Sequence, residues 1–145
     1  MAIPEAEAFN LVENRKALIE IFSYWPSFHD AEILSFTLDR GDQNGPWLDA
    51  RIHVFEPTQE IDNKGFFVLR HHTIVTLHFE DVQDVMLDSF NHQNVLWNLE
   101  VAAVPNAVPG EPGLSVSMLS SYGCSAEFVC RRVSVTGVES FPPRQ

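Results

Sequence analysis

The sequence predicts an α+β domain, in which an N-terminal helix is followed by six to eight mostly antiparallel β-strands. Three observations lead to this prediction. Residues 10–24 carry apolar side chains at helical spacing, most later apolar residues alternate with polar ones, and turn residues separate the alternating segments. With 145 residues, 45% of them apolar, the chain can bury a sizeable core, and we expect one domain over residues 1–145.

The predicted helix is defined by a single apolar stripe. Its members recur at i, i+3, i+4 and i+7 and are Leu18, Ile21, Phe22 and Trp25. Asn10 followed by Glu13 resembles a capping box at the start of the helix. Pro26 is expected to end it, because the residue before a proline is disfavoured in helical geometry.

Alternating residues predict strands in the rest of the chain. Residues 34–38 and 48–54 flank a turn cluster at 41–46 and are expected to form a hairpin. Residues 56–65 are polar and contain a proline, which predicts a loop, and residues 84–90 fit either a short strand or a helical turn. Further strands are expected at residues 75–79, 95–101 (with Trp97 among its apolar positions), 114–119 and 126–135.

Charge is the strongest compositional signal. Twenty acidic residues against nine basic ones give a formal net charge of -11, which makes nucleic acid an improbable ligand and favours a basic partner. Part of the excess forms a cluster without Lys or Arg, which we call the acidic cluster: Glu80, Asp81, Asp84 and Asp88, with His92 nearby. Such a run is either an ordinary solvated surface or a mimic of a nucleic-acid backbone that docks over a basic cleft.

The sequence favours a cytosolic protein. The N-terminal residues lack the basic and apolar regions of a signal peptide, and no apolar stretch reaches the roughly 18 residues of a membrane helix. Cys124 and Cys130 are too far apart along one strand for a disulfide and are expected to be reduced thiols.

The segment WPSFHDAEI (residues 25–33), which we call the WPSFHDAEI motif, is the main candidate site. Its notable residues are Trp25, Phe28, His29, Asp30 and Glu32. Three interpretations stay open: a structural role at the helix end, contact with a partner, or metal or acid–base chemistry with a third ligand from His53 or His72. Elsewhere the sequence contains no nucleophile elbow, phosphate-binding loop, dinucleotide fingerprint or zinc spacing, so no cofactor and no metal is expected.

Two segments carry a family resemblance: the WPSFHDAEI motif and Asp84–Leu96 (DVMLDSFNHQNVL). Together with their spacing they resemble the immunity protein 50 family of bacterial polymorphic toxin systems, over residues 14–101, and the likeness weakens after Pro105. Members of that family are small cytosolic proteins that neutralise a cognate toxin. The resemblance therefore implies binding rather than catalysis, and it assigns no chemistry to the motif residues.

These observations lead to three hypotheses from different classes. The first is a non-enzymatic immunity protein that neutralises a cognate, basic toxin domain through its acidic surface, with the acidic cluster and His92 as binding residues. The second is an interaction module without a toxin, such as a homodimer built on exposed aromatic residues. The third is a small metal-dependent enzyme that uses His29, Asp30 and Glu32.

Overall fold

Nine β-strands and one short α-helix make up residues 9–141, the part of the chain that the computed structural model describes. The elements in chain order are a 3-10 helix at Phe9–Leu11, β1 (Val12–Glu13), α1 (Lys16–Phe22), β2 (Glu32–Asp42), β3 (Gly45–Ile61), β4 (Phe67–Glu80), β5 (Gln83–Asp88), β6 (Val95–Ala103), β7 (Leu114–Tyr122), β8 (Ser125–Cys130) and β9 (Arg132–Ser140). The strands lie in one sheet in the order β1-β9-β4-β3-β2-β6-β7-β8-β5. Because β1 runs parallel to β9 and the other pairs are antiparallel, the sheet is mixed.

The sheet folds over on itself. Phe79 on β4 and Phe128 on β8 meet edge to face with ring centroids 4.9 Å apart, although four strands lie between β4 and β8 in the sheet. In a flat sheet that separation would be about 24 Å, since neighbouring strands lie about 4.8 Å apart. A five-stranded half (β1, β9, β4, β3 and β2) therefore faces a four-stranded half (β6, β7, β8 and β5).

The core lies between the two halves. Alternate residues of each half point inward and are at most 3% exposed, among them Ile52, Leu77, Phe79, Val116, Met118 and Phe128. Helix α1 adds Leu18 and Phe22 to the same core. These inward positions follow the period-two alternation of the sequence, which explains why the hairpin of β2 and β3 is confirmed at its predicted place.

The α+β prediction is wrong, because the described chain is largely all-β. The predicted helix over residues 10–24 shrinks to Lys16–Phe22, since residues 12–13 pair with β9 instead. The Asn14 side chain donates a hydrogen bond to the carbonyl oxygen of Val135 at 2.8 Å, and Glu13 forms an ion pair with Arg132 at 2.7 Å, so the expected capping box is absent. Over residues 9–141 no helix is long and apolar enough to cross a membrane.

Residues 56–65 are not the loop that the sequence predicts. There β3 and β4 continue beyond the rest of the sheet and pair only with each other, down to the register pair Ile61↔Phe67. A turn closed by the hydrogen bond from the Asp62 amide to the Phe66 carbonyl oxygen (2.8 Å) joins them. Pro57 is compatible with this projecting arm, because both arm strands have a free outer edge where no amide donor is required.

Candidate functional site

The WPSFHDAEI motif connects the two halves of the sheet. The Asp30 amide donates to the Leu96 carbonyl oxygen (2.9 Å), the Leu96 amide donates to the Ala31 carbonyl oxygen (2.8 Å), and the Ile33 amide donates to the Asn94 carbonyl oxygen (2.8 Å). These bonds bring β2 alongside β6, where the sheet has a single register pair. The backbone of the motif therefore joins the two halves of the sheet, which differs from the role at the helix end that the sequence suggested.

Inside the motif, two aromatic residues anchor the chain. Phe28 is 4% exposed and lies in the core, and its ring centroid is 5.6 Å from that of Trp25. The Ser27 hydroxyl accepts a hydrogen bond from the His29 amide at 3.1 Å. Asp30 has φ 69°, a left-handed conformation that Asp and Asn tolerate better than most residues. Helix α1 ends several residues earlier, at Phe22, so the motif does not cap it.

His29 and Asp30 expose their side chains at the surface. Nδ1 of His29 lies 3.3 Å from an Asp30 carboxylate oxygen, and the His29 ring meets Trp97 edge to face with centroids 4.8 Å apart. The third ligand proposed for a metal is engaged elsewhere, because Nε2 of His53 and Nδ1 of His72 are hydrogen-bonded at 2.9 Å. Residues 9–141 contain no group of three or more His, Cys, Asp or Glu side chains arranged to hold a metal ion.

The His53–His72 pair lies in a small aromatic cluster on the outer face of the five-stranded half. The His53 ring stacks on Phe141 with centroids 4.0 Å apart and planes 8° apart. Burial, and secondarily the neighbouring His72, lowers the pKa of His53. When both rings are neutral, one ring nitrogen can donate its N–H to the other. Two protonated rings would repel each other.

Two members of the acidic cluster are engaged in ion pairs within the protein. Oδ2 of Asp81 accepts hydrogen bonds from Nη2 (2.6 Å) and Nε (3.1 Å) of Arg131. Oε2 of Glu80 lies 3.6 Å from Nη1 of Arg132. The Arg131 amide also donates to the Glu80 carbonyl oxygen at 2.9 Å. Together these contacts join the two places where the chain crosses between the halves, from β4 to β5 and from β8 to β9.

The other members of the cluster lie along or beyond β5. Asp84 has φ 57° and occupies the bulge between Gln83 and Met86, and Asp88 ends the strand. Both carboxylates and His92 are exposed, and none of the three forms an ion pair with another residue of 9–141. The structure thus divides the acidic cluster into a paired end, Glu80 and Asp81, and an unpaired stretch.

An acidic cleft of about 460 Å³ opens beside the paired end. It is lined by the carboxylates of Asp39, Asp42, Glu80 and Asp81 together with the aromatic rings of Trp47 and His78. Oδ1 of Asp49 lies 2.5 Å from Nδ1 of His78. Carboxylates beside an indole ring can accommodate an ammonium or guanidinium group. Sequence patterns did not group Asp39 and Asp42 with Glu80. They lie close together only because β2 pairs with β3 and β3 pairs with β4.

Trp97, which contacts His29 of the WPSFHDAEI motif, was predicted to face the core and instead faces outward. Alternation grouped it with the core positions of its strand, yet it is 58% exposed while its neighbour Leu96 is fully buried. The cause is a bulge, in which Asn98 pairs with Leu119 and Leu96 pairs with Ser120. The extra residue turns Trp97 outward, beside His29. No signal in the sequence marks this bulge.

A comparison with protein-family models gives a match over most of the chain. The family model described as Immunity protein 50 matches residues 14–141, well past Pro105, where the likeness was expected to weaken. No curated protein and no solved structure matches the chain significantly. The family match covers nearly the whole described chain and includes both segments that carried the resemblance. The chain belongs to the immunity protein 50 family.

Proposed function

We propose that this chain is a non-enzymatic immunity protein that binds a cognate toxin domain in the cytosol and blocks it through an acidic surface. The observation that carries this proposal is the family match over residues 14–141. The net charge of -11 supports an electrostatic contribution, because an excess of one sign accelerates association with a partner of the opposite sign.

The distribution of carboxylates supports the same mode of action. Asp84 and Asp88 are exposed and unpaired within residues 9–141, and Asp39 and Asp42 line the acidic cleft beside Trp47. A toxin that acts on a polyanion needs a basic active-site cleft. Carboxylates that enter such a cleft pair with its Lys and Arg side chains and occlude it.

The cytosolic, reducing location is supported by the cysteines. Cys124 and Cys130 are both free and buried. Burial raises the pKa of the Cys130 thiol to about 12, so this thiol is neutral and unreactive at physiological pH. Buried, unreactive thiols are typical of proteins that need no disulfide.

Tagged pull-down from the native cell supplies a candidate toxin domain, and co-expression with that domain tests the proposal. We expect the wild-type chain to restore growth and to form a complex with the purified toxin domain that weakens as salt rises. Asp84→Asn combined with Asp88→Asn should slow association, and Glu20→Lys on α1, which changes the net charge by the same amount, serves as the control. A chain that neither binds nor protects, or that forms only homodimers, would contradict the proposal.

A further inference from the structure

The outer face of the four-stranded half carries large apolar side chains in the open. Met86 on β5 is 67% exposed, Trp97 on β6 is 58% exposed, and Leu119 on β7 is 40% exposed. All three lie on the side opposite the core. Met86 pairs with Glu127, which points outward because its neighbour Phe128 is buried. The Trp97 bulge lies opposite Leu119, which points outward because its neighbour Met118 is buried. Helix α1 does not cover this face, since it packs against β4 and β9 of the other half.

Carboxylates interrupt the same face. Glu100, Ser117, Glu127 and Met86 form one row across β6, β7, β8 and β5. Glu100 and Glu127 are exposed, and Asp88 lies two residues along β5 from Met86 on the same side. An exposed Trp next to Leu119, with Met86 three strands away on the same face and carboxylates between them, has the composition of a protein-binding surface.

The charge of this half determines which partner fits. Residues 83–130, which include β5–β8, contain no Lys and no Arg, and they carry five carboxylates: Asp84, Asp88, Glu100, Glu111 and Glu127. Nucleic acid and anionic lipid are excluded by sign. A second copy of this chain is disfavoured, because it would bring Glu100 and Glu127 against carboxylates of the same face. A basic protein surface is the occupant whose charge is complementary.

From these observations we infer that the cognate toxin docks on the outer face of β5–β8, with Trp97 and Met86 as apolar anchors and with Glu100 and Glu127 against its basic residues. This inference rests on the proposed immunity function and locates its binding surface. His29 is a positioning residue, because its ring packs edge to face against the indole of Trp97. The exposed part of the WPSFHDAEI motif is thereby connected to binding through Trp97.

Affinity for the purified candidate toxin domain, obtained by the pull-down described above, tests the inference. Trp97→Ala should raise Kd about thirtyfold or more, as expected for a central aromatic anchor. Its matched control is Phe66→Ala, an aromatic residue that is 67% exposed on the projecting arm and should leave Kd within about twofold. Glu100→Lys should slow association about tenfold at low salt, whereas Glu20→Lys on α1 carries the same charge change and should have little effect.

A second measurement uses the wild-type protein and so does not depend on a variant that folds. Hydroxyl-radical labelling should oxidise Met86 in the free chain and leave it protected in the complex, whereas Phe66 should be labelled equally in both. Met118, which is fully buried, reports on the integrity of the fold.

The possible outcomes separate the inference from the proposed function. If the wild-type chain binds and neutralises the toxin while Trp97→Ala and Glu100→Lys bind equally well and Met86 stays labelled, the docking face is wrong and the proposed function stands. If the wild-type chain neither binds nor neutralises, the proposed function fails and the inference fails with it. Self-association that Trp97→Ala abolishes would overturn the choice of a basic partner.

Discussion

Asp81→Asn should destabilise the protein, whereas Asp84→Asn should not. The two residues are a matched pair, because both are Asp in the left-handed region, at φ 53° and 57°, and both changes remove one negative charge. Asn tolerates this conformation as well as Asp does, so neither change strains the backbone. They differ in their partners, since Asp81 accepts two hydrogen bonds from Arg131 and Asp84 forms no ion pair within residues 9–141.

The expected magnitude follows from the exposure of the pair. Hydrogen bonds to charged groups contribute about 1.5–3 kcal/mol in protected positions, and exposed ion pairs contribute about 0.2–1 kcal/mol. The Asp81 side chain is 16% exposed and that of Arg131 is 46% exposed, so the pair lies between these cases. We expect Asp81→Asn to lower the free energy of unfolding by about 1 kcal/mol. Asp81→Ala should cost about 1–2 kcal/mol more, because alanine is strained at this φ.

Urea unfolding followed by intrinsic fluorescence measures these differences. The midpoint should fall for Asp81→Asn with an unchanged slope, and it should stay within error for Asp84→Asn. A double-mutant cycle with Arg131→Met isolates the coupling between the two side chains. Equal losses for Asp81→Asn and Asp84→Asn would refute the reasoning, because the ion pair could not then be the cause.

Three further predictions concern the core, the histidine pair and one turn. Phe128→Ala should cost about 3–5 kcal/mol in urea unfolding, because it removes the contact between the two halves; a loss under about 1 kcal/mol would contradict the folded-over sheet. Because the pKa of His53 is lower in the folded chain than in the unfolded chain, acid protonates the unfolded chain first. The contribution of His53 to stability is therefore present above about pH 6.5, its pKa in the unfolded chain, and is lost as pH falls through its pKa in the folded chain. Free energies of unfolding between pH 7.5 and 5 should show a shallower pH dependence for His53→Asn than for the wild type, and an unchanged slope would count against the shift. Gly123→Ala should unfold at clearly lower urea than Gly65→Ala. Both glycines have positive φ, but only at Gly123 would a Cβ lie 2.4 Å from a backbone oxygen, and at Gly65 nothing lies within 4 Å.

Local patterns predict those parts of the fold that local physics controls. The β2–β3 hairpin follows from alternation and a turn cluster, and Leu18 and Phe22 lie in the core as their helical spacing predicts. The length of the helix could not be predicted in this way. Residues 12–13 pair with β9, which is more than a hundred residues away in sequence, and that pairing removes the first turns of the expected helix.

In the candidate site, too, some features follow from local sequence and others depend on distant strand pairing. The WPSFHDAEI motif could be recognised in the sequence, but its backbone pairing with Leu96 depends on how the two halves meet. Alternation gave Trp97 the opposite orientation, because a bulge shifts the period by one residue at that point. Ion pairs such as Asp81 with Arg131 join residues fifty positions apart, so no local pattern indicates them.

The backbone explains part of the acidic excess without any partner. Asp30, Asp81 and Asp84 all have positive φ, where Asp is favoured over most residues, so their presence is accounted for by the turns and bulges that they occupy. Glu100 and Glu127 are different. They lie in regular strand positions, where Glu is disfavoured, on a face that also exposes Met86. Neither strand geometry nor an ion pair within residues 9–141 accounts for them, although Glu100 accepts a hydrogen bond from Nδ2 of Asn98 at 3.3 Å. The proposed toxin-binding surface is therefore placed on this face rather than at the paired end of the acidic cluster.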